Sequence, residues 1–209
     1  MTDATTNPST DAAEPRDEGE PDPTLARLSA ALGGLPKRGL PPVERWTPPY
    51  CGEIDIRIAA DGTWFHNGSA IRRPKLVKLF SSILRREPDG RTVLVTPVES
   101  VGITVDDAPF AAVEMAVEGE GEARRIGFRT NADDLVPLDT AHPIRFEQGA
   151  DGGLKPYVLV RRDLWALVSR ALTYDLVDLG EERVIEGRAW LGLSAGGTFH
   201  PIAPVDAAA

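Results

Sequence analysis

The sequence is short of cysteine, histidine and long apolar runs, and each shortage removes a class of protein. Cys51 is the one cysteine in 209 residues, so no internal disulfide can form and no cysteine-based metal site is available. His66, His142 and His200 lie far apart, and none has a second ligand at helical spacing, so no metal is expected. No apolar run approaches the roughly 18 residues of a membrane-spanning helix, and no membrane partner is expected. Residues 1–22 lack the basic start and apolar stretch of a signal peptide, which makes the cytoplasm the expected compartment. Phosphate-binding G-x-x-x-x-G-K-[ST], dinucleotide G-x-G-x-x-G, the G-x-S-x-G elbow and H-E-x-x-H are all missing. No cofactor is expected, and no catalytic signature marks the chain as an enzyme.

What is present is a chain with 42% hydrophobic residues, enough to bury a core in one ordinary domain or two small ones. The net charge of −9 is unevenly placed, because residues 1–22 hold seven acids against Arg16 and so account for −6. That stretch has no large apolar residue after Met1 and is expected to be a disordered acidic tail. Nucleic acid is not an expected partner, since the sequence pI is about 4.9 and aromatic platforms do not alternate with basic residues.

Beyond the tail, Pro23 and the spacing of Leu25, Leu28 and Leu32 predict a short helix that Gly33 and Gly34 end. Pro36, Pro41, Pro42, Pro48 and Pro49 then make an extended strap with Trp46 as its packing anchor. Ile54, Ile56 and Ile58 alternate with Asp55 and Arg57, which is the period of a half-buried strand, and Asp61-Gly62 turns it into a hairpin with residues 63–66. Pro74 opens an amphipathic helix carrying Leu76, Leu79, Phe80, Ile83 and Leu84, closed by residues 87–90. Strands are expected over 92–96, 99–105 and 109–118, the last with Ala111, Val113, Met115 and Val117 on one face, and then a strand with Ile126 and Phe128 inward. Residues 144–148 and 157–161 read as a second hairpin. Asp163 is read as the cap of a third helix through Leu164, Val168, Leu172, Leu176 and Leu179, and the C-terminus as a last hairpin.

A faint repeat runs through this pattern: Asp61-Gly62, strand, Arg72-Arg73, helix is echoed by Asp151-Gly152, strand, Arg161-Arg162, helix. The expected architecture is therefore α+β, two related small units with a hairpin, helix and strands each. Its divisions are a tail over 1–22, a helix and strap over 23–50, a first unit over 51–120 and a second over 121–209.

Two charge features could serve an anionic ligand. Arg72, Arg73, Lys75, Lys78, Arg85, Arg86 and Arg91 cluster around the second helix, three of them at its N-terminus, against Glu87 and Asp89 alone. Arg57, Arg129 and Arg145 sit on the polar faces of three expected strands and could form an anion clamp or pair with nearby acids.

The strings PYCGEIDIRI from Pro49 to Ile58, LVTPVE from Leu94 to Glu99, DAPF from Asp107, RTN from Arg129 and HPI from His142 resemble the bacterial domain-of-unknown-function family 1285. The resemblance runs from Pro49 to beyond Gly180. It implies a duplicated core whose second unit is like a pleckstrin-homology fold, a ligand cleft between the units, a nucleotide-type ligand and a signalling or regulatory role, with no assigned activity. On and beside those strings, Arg57, Arg129 and Arg145 are assigned to phosphate, Thr96, Glu99 and Asn131 to sugar or base, and Trp64 to a stacking face. The rival readings are a protein-interaction adaptor, whose partner is a protein, and a hydrolase or transferase using Glu99, Asp107 or His66.

Overall fold

The computed structural model describes residues 23–32 and 39–205. The acidic tail, the Gly33-Gly34 helix stop and residues 206–209 lie outside the described residues.

Helix α1 (Pro23–Leu32) packs Leu28 fully into the core, with Leu25 half-buried beside it. The strap that follows buries Val43, and Arg85 clamps it by donating to the Val43 and Trp46 carbonyls at 2.8 and 2.9 Å.

The first sheet contains β1 (Tyr50–Ile58), β2 (Trp64–His66), β3 (Ser69–Ala70), β4 (Leu84–Arg86), β5 (Thr92–Val95) and β6 (Ser100–Val105). Its order is β3-β2-β1-β6-β5-β4, with β1 antiparallel to β2 and parallel to β6. The isoleucine alternation reads out directly, since Ile56 and Ile58 are buried while Asp55 and Arg57 are exposed. Between β3 and β4 lies α2 (Pro74–Ser82), opened by Pro74 in its first turn and burying Phe80. This helix ends at Ser82, two residues before the end of its apolar stripe at Leu84. Leu84 opens β4 instead, because Leu84, Arg85 and Arg86 pair with Leu94, Val93 and Thr92 across the turn at residues 87–90.

The second sheet contains β7 (Phe110–Glu118), β8 (Arg125–Thr130), β9 (Leu135–Pro137), β10 (Ile144–Gln148), β11 (Leu154–Arg161) and β12 (Leu164–Val168), in the order β10-β11-β12-β7-β8-β9. Numbered within each unit, both sheets have the order 3-2-1-6-5-4, and in both the first strand runs parallel to the sixth. The first strands, β1 and β7, are nine residues each. Two related α+β units, mostly β, therefore form the body of the protein.

The duplication has a different register from the one the sequence echo indicates. That echo aligns the β1–β2 turn with the β10–β11 turn, which are the first and fourth connections of their units. It also aligns α2, which lies between the third and fourth strands, with α3 (Arg170–Asp178), which follows the sixth. The chain crosses between sheets at residues 106–109, so β7 belongs with the second unit and residue 120 falls inside it.

Two further expectations are corrected. Asp163 does not cap a helix: Leu164, Ala166 and Val168 are buried in alternation with Trp165 and Leu167, the period of a strand, and β12 pairs with both β11 and β7. Helix α3 starts only after Ser169. On β7, Phe110, Ala111 and Ala112 are all buried, a register shift falls between Ala112 and Glu114, and Val113 and Val117 are each 40% exposed. The chain ends in a small antiparallel sheet, β13 (Glu181–Ile185), β14 (Arg188–Ala195) and β15 (Thr198–Pro204), whose last two strands are the expected hairpin. One hydrophobic cluster runs through both large sheets, from Ile56 and Phe80 to Phe128 and Leu164.

Candidate functional site

The second helix bears Lys75 and Lys78 three residues apart, hence on one face, while Leu76, Val77, Leu79 and Phe80 turn toward the core. Opposite this face stands the second unit, through Ala132 and Asp134 in the β8–β9 turn and Arg161 at the end of β11. Gly39 and Leu40 of the strap close one side, leaving a cleft of about 330 Å³ between the units.

Arg161 is fixed in its place. Its Nη1 donates to Asp134 at 2.7 Å, its Nη2 donates to the Ser81 carbonyl at 2.8 Å, and its guanidinium lies 4.7 Å from the Phe110 ring centroid. Its Nε is buried and has no hydrogen-bond partner among the described residues, and the same is true of Ser81 Oγ. These two atoms come from opposite units and both residues line the cleft. A buried donor left unpaired costs about 1–3 kcal/mol. Of the charged lining, Lys75, Lys78 and Arg161 face a single carboxylate, Asp134. Lys78 also reaches Asp133 at 3.3 Å, with both side chains more than half exposed. The cleft thus favours an anion with some apolar surface against Leu40, Leu79 and Ala132. No histidine or cysteine lines it, and among the described residues no group of three His, Cys, Asp or Glu side chains could hold a metal ion.

The seven residues assigned on the sequence strings are not brought together. Arg57 is committed to Asp106, with contacts of 2.8 and 2.5 Å that hold the Asp106 carboxyl below its ordinary pKa. Arg129 is committed to Glu114 and, at 2.9 Å, to Asp133, and the guanidinium likewise depresses Glu114. Arg145 pairs with Glu147 at 3.2 Å and covers the Trp165 ring at 4.3 Å. Arg57 stands in the first sheet, and Arg129 and Arg145 are separated by β11, β12 and β7 in the second, so no three-arginine clamp exists. Trp64 offers no stacking face, being 2% exposed and packed 6.3 Å from Phe80 in the core. Thr96 closes its own turn, its buried hydroxyl donating to the Glu99 carbonyl and accepting from the Val98 and Glu99 amides. The Glu99 carboxylate receives Arg27 of α1 at 3.0 Å. Asn131 rivets the units, donating from Nδ2 to the Gly62 carbonyl at 2.9 Å and accepting the Ala111 amide at 3.1 Å.

The basic cluster around α2 is the signal that leads to the cleft, though only in part. Lys75 and Lys78 line it, whereas Arg85 holds the strap and Arg91 pairs with Asp89 and covers Tyr50. Sequence reasoning missed Ser81, Asp134 and Arg161 as site residues. Arg161 was visible as half of the Arg161-Arg162 echo, but the folding of β11 against α2 has no local signature.

Residues 41–108 match the N-terminal domain and residues 109–202 the C-terminal domain of the proteins of unknown function DUF1285. No curated protein matches the chain. Among solved structures, a DUF1285 family protein from Silicibacter pomeroyi DSS-3 shares 47% identity over 85% of this chain and 95% of its own, with a TM-score of 0.77. Another, from Shewanella baltica OS155, is 29% identical over 59% of this chain and 90% of its own, with a TM-score of 0.47. The two matched domains meet at residue 108, within the crossover between the sheets, and the chain belongs to the DUF1285 family.

Proposed function

We propose that this protein binds a small anionic molecule of the nucleotide type in the cleft between its units and serves a signalling or regulatory role. Lys75 and Lys78 meet the phosphate, and Leu40, Leu79 and Ala132 meet its less polar part. The observation that carries this reading is the mostly cationic charged lining of the cleft, Lys75, Lys78 and Arg161 around the single carboxylate of Asp134. At about 330 Å³ the cleft also lies within the roughly 300–1,000 Å³ of small-molecule sites.

The test is a thermal-unfolding screen against mononucleotides, dinucleotides and cyclic nucleotides, with sulfate and phosphate as charge controls. A ligand at about 100 times its dissociation constant adds about 2.7 kcal/mol, worth about 5–10 °C in a chain of this size. One nucleotide is expected to exceed the sulfate control, and Lys75→Ala with Lys78→Ala to abolish its effect. A screen in which nothing exceeds sulfate defeats the reading.

A protein-interaction role is the second reading, favoured by an apolar groove of about 410 Å³ over β7, β8 and β9. There Ala116, Gly127 and Pro137 are neighbours across the strands, and Leu135 at the rim is 79% exposed. Of the residues named for the hydrolase or transferase reading, Glu99, Asp107 and His66, the two carboxylates are held by cations.

A further inference from the structure

A separate cavity of about 200 Å³ lies at the crossover between the sheets, with Arg86 of β4 on one wall and Arg145, Tyr157, Asp163 and Trp165 of the second unit on the other. Most of its charges are already neutralised. Asp107 is held by Lys155 and accepts the Tyr157 hydroxyl at 2.7 Å, and Arg145 pairs with Glu147. Two are not. Arg86 makes no ion pair among the described residues, and Asp163 has no cation partner, only the Trp165 indole N–H at 3.1 Å.

An unpaired cation and an unpaired anion therefore stand on different units around one small polar cavity, without pairing with each other. That pattern complements a zwitterion, whose carboxylate Arg86 would receive and whose ammonium Asp163 would receive. Each contact would be a charge-assisted hydrogen bond. The Arg145 guanidinium, which also lines the cavity and lies 4.3 Å from the Trp165 ring centroid and 5.2 Å from that of Tyr157, offers a flat, weakly hydrated surface for a side chain. The volume corresponds to about six or seven waters, below the range of drug-sized sites and of the size of a free amino acid.

We propose that this cavity binds a free α-amino acid, independently of the anion cleft. The test is thermal unfolding of the full chain with each of the twenty L-amino acids, followed by titration of any that raises the midpoint. Its N-acetyl and α-amide derivatives, which lack the ammonium and the carboxylate, are compared alongside. The expected result is a saturable rise for at least one amino acid. Each derivative should weaken it at least about tenfold, as should Arg86→Ala and Asp163→Asn. Both residues are exposed, so the variants should fold, which their unliganded midpoints check. Lys75→Ala with Lys78→Ala should leave this binding unchanged while removing anion binding at the cleft, which separates the two sites. The proposal is overturned if no amino acid raises the midpoint, if the N-acetyl or amide form binds as well, if either single variant binds normally, or if the lysine variant removes the effect.

Discussion

His200 is 5% exposed in β15, its Nε2 has no hydrogen-bond partner among the described residues, and burial holds its pKa below the ordinary histidine value. The folded protein therefore takes up this proton at lower pH than the unfolded chain does. Stability is expected to fall as pH drops below about 6.5 and to level off once the folded-state pKa is passed. Urea unfolding of the wild type and of His200→Asn between pH 5 and 8 checks this, the variant losing that component of the slope; parallel curves would assign the pH dependence elsewhere. Residue-level chemistry also explains why the assigned ligand residues have partners within the protein. Arginines on exposed strand faces found acids within reach, and a tryptophan in a short strand was worth more to the core than to a ligand.

At the scale of elements, α2 carries the functional reading. It is the segment inserted between the third and fourth strands of the first unit, where the second unit has only the loop over residues 138–143. Lys75 is exposed and makes no ion pair among the described residues, so Lys75→Ala is expected to leave the unliganded midpoint unchanged while weakening anion binding at the cleft. A drop in the unliganded midpoint comparable to the loss of binding would make Lys75 a structural residue. Strong local signals made most elements legible in the sequence: the isoleucine alternation of β1, Pro74 at the start of α2, and the turns at Asp61-Gly62 and Gly196-Gly197. Failures came where pairing overrode them. Leu164, Val168 and Leu172 match a helical stripe, yet the slot between β11 and β7 draws residues 164–168 into a strand. The true register of the duplication was equally hidden, because it resides in strand order and parallel pairing rather than in side-chain identity.

At the scale of the whole molecule, the two units share one hydrophobic cluster and are riveted by Asn131 to the Gly62 carbonyl. They are expected to unfold together, in a single calorimetric transition whose enthalpy equals the van't Hoff value. Asn131→Ala should lower the stability by about 1–3 kcal/mol without splitting that transition. Two resolved transitions in the wild type would mean that the units are energetically separate and that the cleft between them has no fixed shape.

The cleft is the central claim, and the most direct measurement follows the arginine Nε–H resonances by ¹⁵N NMR while the protein is titrated with the nucleotides of the panel. Arg161 Nε is unpartnered among the described residues, whereas Arg57 and Arg129 Nε already donate to Asp106 and Glu114. A nucleotide in the cleft is predicted to move the Arg161 signal saturably and to leave the other two in place. A silent Arg161, with Arg57 or Arg129 moving or with no arginine responding at all, would contradict the account.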